Sequence, residues 1–207
     1  KDNFECAPFV DVDGASAADA TPAADVPDTH GVCDPHNWMD PKNVEIWTAN
    51  IATLFAQADP AHADSYQANA KAYIAQLEQL DQDVRDILAP LPADRRVLVT
   101  NHDFLGYFAH AYNFEIVGNV IPSISSTSEP DPKQLATLID VIEARHVPAI
   151  FVEVSGSPRQ AQSIADEAHV KLIDTLYAEA LSEPGTPGDT YIHFLTFDAQ
   201  TIADSLK

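Results

Sequence analysis

The sequence predicts an α/β fold built on a parallel sheet with helices on both faces. Two observations carry that expectation. Beyond Pro92, short apolar runs alternate with helical stretches, the pattern of strands joined by helical crossovers. Ahead of them lies a breaker-free stretch from Pro60 to Ala89 with apolar residues at three- and four-residue spacing, the mark of one long amphipathic helix.

Taken in order, residues 10–34 read as a surface loop, rich in Asp and Ala and poor in large apolar side chains. Asp40-Pro41, Asp59-Pro60, Asp131-Pro132 and Ser157-Pro158 each offer an N-cap followed by a proline at the first helical position. Gln160, three places after Ser157, completes a capping box. The helix from Pro60 uses Tyr66, Ala70, Tyr73, Leu77, Leu80, Val84, Ile87 and Leu88 as its apolar stripe. It would reach roughly 40–45 Å, enough to run along a whole domain or to join two lobes.

Strands are expected at Val97 to Thr100, Glu115 to Val120, Ala149 to Val152 and Lys171 to Ile173. Helices are expected from about Asp103 to Tyr112, Pro132 to Arg145, Pro158 to His169 and about Phe197 to Leu206. Ligands of such sheets bind beyond the carboxyl ends of the strands. His102 and Glu153 stand at two of those ends, and Glu179 follows the fourth strand by a short loop.

Charge and cysteines narrow the function. The formal net charge is −21, which repels phosphate backbones and argues against nucleic acid. No apolar run approaches the roughly 18–20 residues that span a bilayer. The only methionine is Met39 and the chain opens at Lys1, so a processed chain or a fragment is expected. Cys6 and Cys33 are the only cysteines and flank the acidic loop. A disulfide between them would imply an oxidising compartment; two unrelated buried thiols are the alternative.

The segment Asp34-Pro35-His36-Asn37-Trp38-Met39-Asp40-Pro41 sets a histidine between two Asp-Pro steps. Proline fixes its own φ and restricts its predecessor, so His36 is offered from a stiff segment, as a metal ligand requires. Its bland alternative is a histidine packed beside Trp38. His102 could instead be a strand-end histidine bonded to a carbonyl. Glu179 lies in Leu176-Tyr177-Ala178-Glu179-Ala180-Leu181, an apolar setting where a carboxylate is costly unless it is paired or binds a cation. Glu153 is a weaker ligand candidate and could orient a ligand histidine instead. His62, His110, His146 and His169 read as surface or satisfied core residues, His193 as a structural core histidine and His30 as a solvated loop residue. Signatures of zinc proteases, nucleophile elbows, P-loops and dinucleotide sites are missing from the sequence.

Taken together, DPHNWMDP at 34–41, NHDFLGYFAHAYNFE at 101–115, STSEPDPKQLATLI at 126–139, FVEVSGSPRQAQSIADEAHV at 151–170 and GDTYIHFLTFDAQTIADSL at 188–206 resemble the metal-binding solute-binding proteins of zinc and manganese ABC importers. The resemblance implies two parallel-sheet α/β lobes joined by one long rigid helix, with the metal in the cleft between them. Residues 1–59 would then be the remnant of an incomplete N-terminal lobe, 60–90 the connecting helix and 91–207 the C-terminal lobe. It implies His36, His102 and Glu179 as metal ligands, with Glu179 standing where the family usually has Asp. Histidine at position 102 is the zinc-type choice, and a fourth ligand is expected upstream.

The function so implied is extracytoplasmic capture of a divalent metal and delivery to an ABC permease. The protein would be a periplasmic or extracellular monomer, with a lipid anchor as an option, and not an enzyme. Two imidazoles favour zinc over the harder manganese, which stays the runner-up. The alternatives from other classes are a zinc hydrolase or lyase with an open coordination position and an adhesin on the same scaffold.

Overall fold

The computed structural model describes residues 34–121 and 132–207. The Cys6–Cys33 bond, His30, the loop reading of residues 10–33 and the Asp131 cap lie outside them. Helix α1 (Pro41–Ala58) begins as expected: Asp40 accepts a hydrogen bond from the Lys42 backbone N–H and Pro41 takes the first helical place. The long helix begins later than Pro60. Pro60–His62 forms one tight 3-10 turn, and helix α2 (Ala63–Leu88) follows for 26 residues. Asp59 caps no backbone amide; its Oδ2 takes His62 Nδ1 at 2.7 Å and the Tyr66 hydroxyl at 2.9 Å. At 1.5 Å per residue α2 spans about 39 Å. Ala70, Leu77, Leu80, Val84 and Leu88 form its buried stripe, and it packs chiefly against α1 and the last helix of the chain.

The sheet follows. Strand β1 (Val97–Thr100), helix α3 (Gly106–Tyr112), β2 (Glu115–Asn119), α4 (Pro132–Arg145), β3 (Ala149–Glu153), α5 (Arg159–Ala168), β4 (Lys171–Leu176) and α6 (Tyr191–Ser205) alternate along the chain. The four strands are parallel, in the order β2-β1-β3-β4. Alternating strand residues feed two cores. Leu98 and Phe151 join Leu80, Phe108, Leu195 and Ile202 on one face. Val97, Val99, Ile150 and Val152 join Leu138, Ile142 and Ile164 on the other. Burial on both faces is why these strands read as continuous apolar runs. From β1 the chain moves outward to β2, then returns across β1 to β3 and β4, so the winding reverses between β1 and β3. In parallel sheets such a reversal marks where ligands bind, at the carboxyl ends of the flanking strands.

Three expected boundaries shift. Helix α3 starts at Gly106, because residues 103–105 form a non-helical turn after β1. The Ser157–Gln160 capping box does not form: Pro158 holds the N-cap place, already in helical conformation, and Arg159 is the first helical residue. Helix α6 starts six residues before Phe197, at Tyr191, because the Thr190 side chain accepts from the His193 N–H at 3.2 Å and caps it.

Candidate metal site

His36 is buried in the turn ahead of α1. Asp34, equally buried, accepts with one oxygen both the His36 backbone N–H (2.9 Å) and ring Nδ1 (2.6 Å). Proton-bearing Nδ1 on a carboxylate leaves Nε2 with a free lone pair. Gly106 makes room for the carboxylate, since a Cβ there would lie 2.7 Å from Asp34 Oδ2. Burial pulls the His36 pKa down, but the bond to Asp34 and its charge, aided by Glu179, outweigh this and raise it above the ordinary histidine value.

His102 is fully buried two residues beyond β1. The Thr100 hydroxyl and the Phe104 N–H both donate to its carbonyl, at 2.8 and 3.0 Å, and hold the turn. Its Nδ1 lies 3.4 Å from Glu153 Oε1, and its Nε2 lies 3.7 Å from Glu179 Oε1. Neither nitrogen has a hydrogen-bond partner among the described residues. A buried, unsatisfied imidazole is costly and suits a ligand. Burial lowers the His102 pKa; Glu153 only partly opposes this, and His36 adds to the lowering. His102 therefore favours the neutral, metal-binding form.

Glu153 is buried at the end of β3, and its Oε2 accepts from the Ser155 hydroxyl at 2.7 Å. It stands behind His102, on the Nδ1 side, and outside the cluster of converging donors. Asp34 holds the matching place behind His36. A carboxylate bonded to the far nitrogen of a ligand imidazole fixes its tautomer and ring angle; Asp34 does this for His36, while Glu153 stands 3.4 Å from His102 Nδ1 without a hydrogen bond to it. Sequence reasoning saw Asp34 only as a stiffening Asp-Pro step. The signal was present in its spacing: a carboxylate two residues before a histidine can reach both the backbone N–H and Nδ1.

Glu179 follows β4 through Tyr177 and Ala178. The apolar setting read from its neighbours is not a buried one: its side chain is 49 % exposed, and Leu181 is 56 % exposed. Its Oε1 lies 3.2 Å from His36 Nε2. One donor each from His36, His102 and Glu179 lie within 4.8 Å of one another. A tetrahedral zinc with bonds of about 2.0–2.1 Å has ligand–ligand edges of about 3.3–3.4 Å. The observed 3.2 and 3.7 Å separations bracket that edge.

The remaining described histidines lie elsewhere. His193 is exposed rather than core, because the earlier start of α6 turns it outward onto Asp189 Oδ1 at 2.7 Å. His62 is exposed and paired with Asp59. His110 is exposed on α3. His146 and His169 are exposed in left-handed conformations at helix ends.

An α/β domain that gathers two buried imidazoles and a carboxylate at the switch point of a parallel sheet has the build of a transition-metal-binding protein. The chain belongs to the ZnuA family, described as the periplasmic component A of the zinc-uptake complex, whose family model matches residues 4–205. It is 34 % identical over 161 residues to the iron-binding protein YfeA of Yersinia pestis, covering 78 % of this chain and 51 % of that protein. It is 28 % identical over 165 residues to the manganese ABC transporter substrate-binding lipoprotein PsaA of Streptococcus mitis, covering 80 % and 53 %. Among solved structures, the periplasmic zinc binding protein TroA of Treponema pallidum superposes with a TM-score of 0.77 at 32 % identity, covering 86 % of this chain and 65 % of that one. The chain spans about half the length of the curated relatives it matches. These relatives are named as metal-binding proteins, PsaA as a component of an ABC transporter, rather than as enzymes, and they lend no support to the hydrolase or lyase alternative. No described helix is long and apolar enough to cross a membrane.

Proposed function

We propose that this chain captures a divalent transition metal outside the cytoplasm, using His36 Nε2, His102 Nε2 and a Glu179 oxygen, and delivers it to an ABC permease. The observation that carries this reading is the convergence of three donors from distant parts of the sequence, each imidazole backed by a buried carboxylate. Zinc is the preferred cargo and manganese the runner-up, because two imidazoles suit a borderline ion better than a hard one. Relatives named for zinc, manganese and iron support the metal class rather than one ion. Relatives named periplasmic or lipoprotein support an extracytoplasmic location, with a lipid anchor as an option.

In this reading α2 is the stiff connector of residues 60–90, residues 91–207 are the C-terminal lobe and residues 1–59 belong to the other lobe. The protein acts as a monomer and transforms nothing chemically. The test is elemental analysis of purified, unstripped protein beside a His36→Ala variant. Near-stoichiometric zinc, lost in the variant, supports the reading. Manganese in its place would change the cargo, and equal metal content in both proteins would overturn the site.

A further inference from the structure

Glu179 is the least constrained of the three donors. It is half-exposed, its Oε1 approaches the Nε2 atoms of His36 and His102 at 3.2 and 3.7 Å, and the irregular stretch after it stays exposed at Ala180 and Leu181. Yet its carboxylate must be held at bonding range of one ion shared with two imidazoles carried by other parts of the fold. A loop of this kind holds such a position only if its backbone is fixed nearby.

The fixing bond comes from the His36 segment itself. The indole N–H of Trp38 donates to the carbonyl of Ala178 at 2.9 Å, across 140 residues of sequence. Trp38 is two residues from one proposed ligand, and Ala178 is next to another. Trp38 is itself held from α6: the Tyr191 hydroxyl donates to its carbonyl at 2.7 Å. On the other side of Ala178, the Tyr177 N–H donates to Asp198 of α6 at 3.0 Å. The Trp38 ring also meets the His36 ring edge-on, with centroids 5.4 Å apart. The Trp38 side chain thus touches both ligand-bearing segments, and backbone groups of Trp38 and Tyr177 tie those segments to the same helix.

We propose that Trp38 is a positioning residue of the metal site, whose indole N–H, seated on the Ala178 carbonyl, sets the separation between the His36 and Glu179 donors. The inference rests on the proposed metal site. Trp38 needs no contact with the ion. It works by keeping the Ala178–Glu179 backbone in register with His36, so that the carboxylate is delivered without an ordering cost at the moment of binding.

A double-mutant cycle tests it with zinc alone as the probe, in competition with a chelator. Trp38→Phe keeps an aromatic ring but removes the N–H. Outer groups that orient metal ligands are worth about 10–100-fold in affinity, so W38F is expected to weaken zinc binding about tenfold or more. In a Glu179→Ala background the same change is expected to cost under about twofold, since the donor it positions is gone. Cobalt-substituted W38F is expected to show a changed d–d absorption band. Equal losses in the two backgrounds, or no loss in the otherwise unaltered chain, would overturn the proposal. An unchanged affinity for Glu179→Ala alone would instead remove Glu179 from the site and leave Trp38 nothing to position. Should W38F fail to fold, Tyr191→Phe, which frees the Trp38 carbonyl, replaces it in the cycle with the same expected coupling and the same refuting results.

Discussion

Asp34→Asn separates the charge behind His36 from its shape. The amide keeps an oxygen that can accept both His36 N–H groups now held at 2.9 and 2.6 Å. A hydrogen bond to a charged group contributes about 1.5–3 kcal/mol, against about 0.5–1.5 kcal/mol for a neutral one. Loss of the charge should therefore cost about 1–1.5 kcal/mol in holding His36 as a ligand, or about five- to thirteenfold in zinc affinity near pH 8. The pH dependence should move as well. In the native chain the His36 pKa is raised despite its burial, because Asp34 and Glu179 favour the imidazolium. A proton competes with the metal for His36, so affinity is flat above that raised pKa. It falls by about tenfold per pH unit below it. In the Asp34→Asn variant, burial is opposed less strongly, the His36 pKa drops, and the decline begins at lower pH. The two affinity curves, measured by chelator competition from about pH 5 to pH 8, should therefore draw together as pH falls. Parallel curves, or a native affinity independent of pH over that range, would refute the reasoning.

Other perturbations test different layers. Asp198 is buried, bonds Tyr177 N–H through one oxygen, and has its other oxygen partnerless among the described residues; burial raises its pKa well above the ordinary value. A raised carboxyl favours the folded state at low pH and loses that contribution as pH rises through the folded pKa. Asp198→Asn should accordingly raise the melting temperature at neutral pH and change it little below the ordinary aspartate range. An equal shift at both pH values would contradict this. Leu80→Ala empties a buried site between α2 and the core and should cost about 2–5 kcal/mol in urea denaturation; a loss below about 1 kcal/mol would show that the helix is not seated as described. His193→Ala, at an exposed residue paired with Asp189, should leave zinc affinity within twofold by the same competition assay, and a tenfold loss would bring His193 into the site.

The strands were legible because burial on both faces writes continuous apolar runs such as Val97-Leu98-Val99 and Ala149-Ile150-Phe151-Val152. The places of His36 and His102 were legible because each is tied to local chemistry, a proline-framed turn and a strand end. Other features depended on contacts that only the fold creates. Glu179 looked buried because its neighbours are apolar, yet Leu181 beside it faces solvent. His193 looked buried for the same reason, until the Thr190 cap moved the start of α6 and set its phase. Ser157 and Gln160 have capping-box spacing, but the turn enters helical geometry at Pro158 and leaves Ser157 outside. Trp38 reaches Ala178 from the far end of the chain, and no local pattern announces such a bond.

Where the metal sits decides whether these three side chains are its ligands. Crystals of the zinc-loaded chain, measured on both sides of the zinc absorption edge, should show one strong anomalous peak. It should lie about 2.0–2.2 Å from His36 Nε2, His102 Nε2 and a Glu179 oxygen. A principal peak on the acidic surface, with these three side chains uncoordinated, would contradict it.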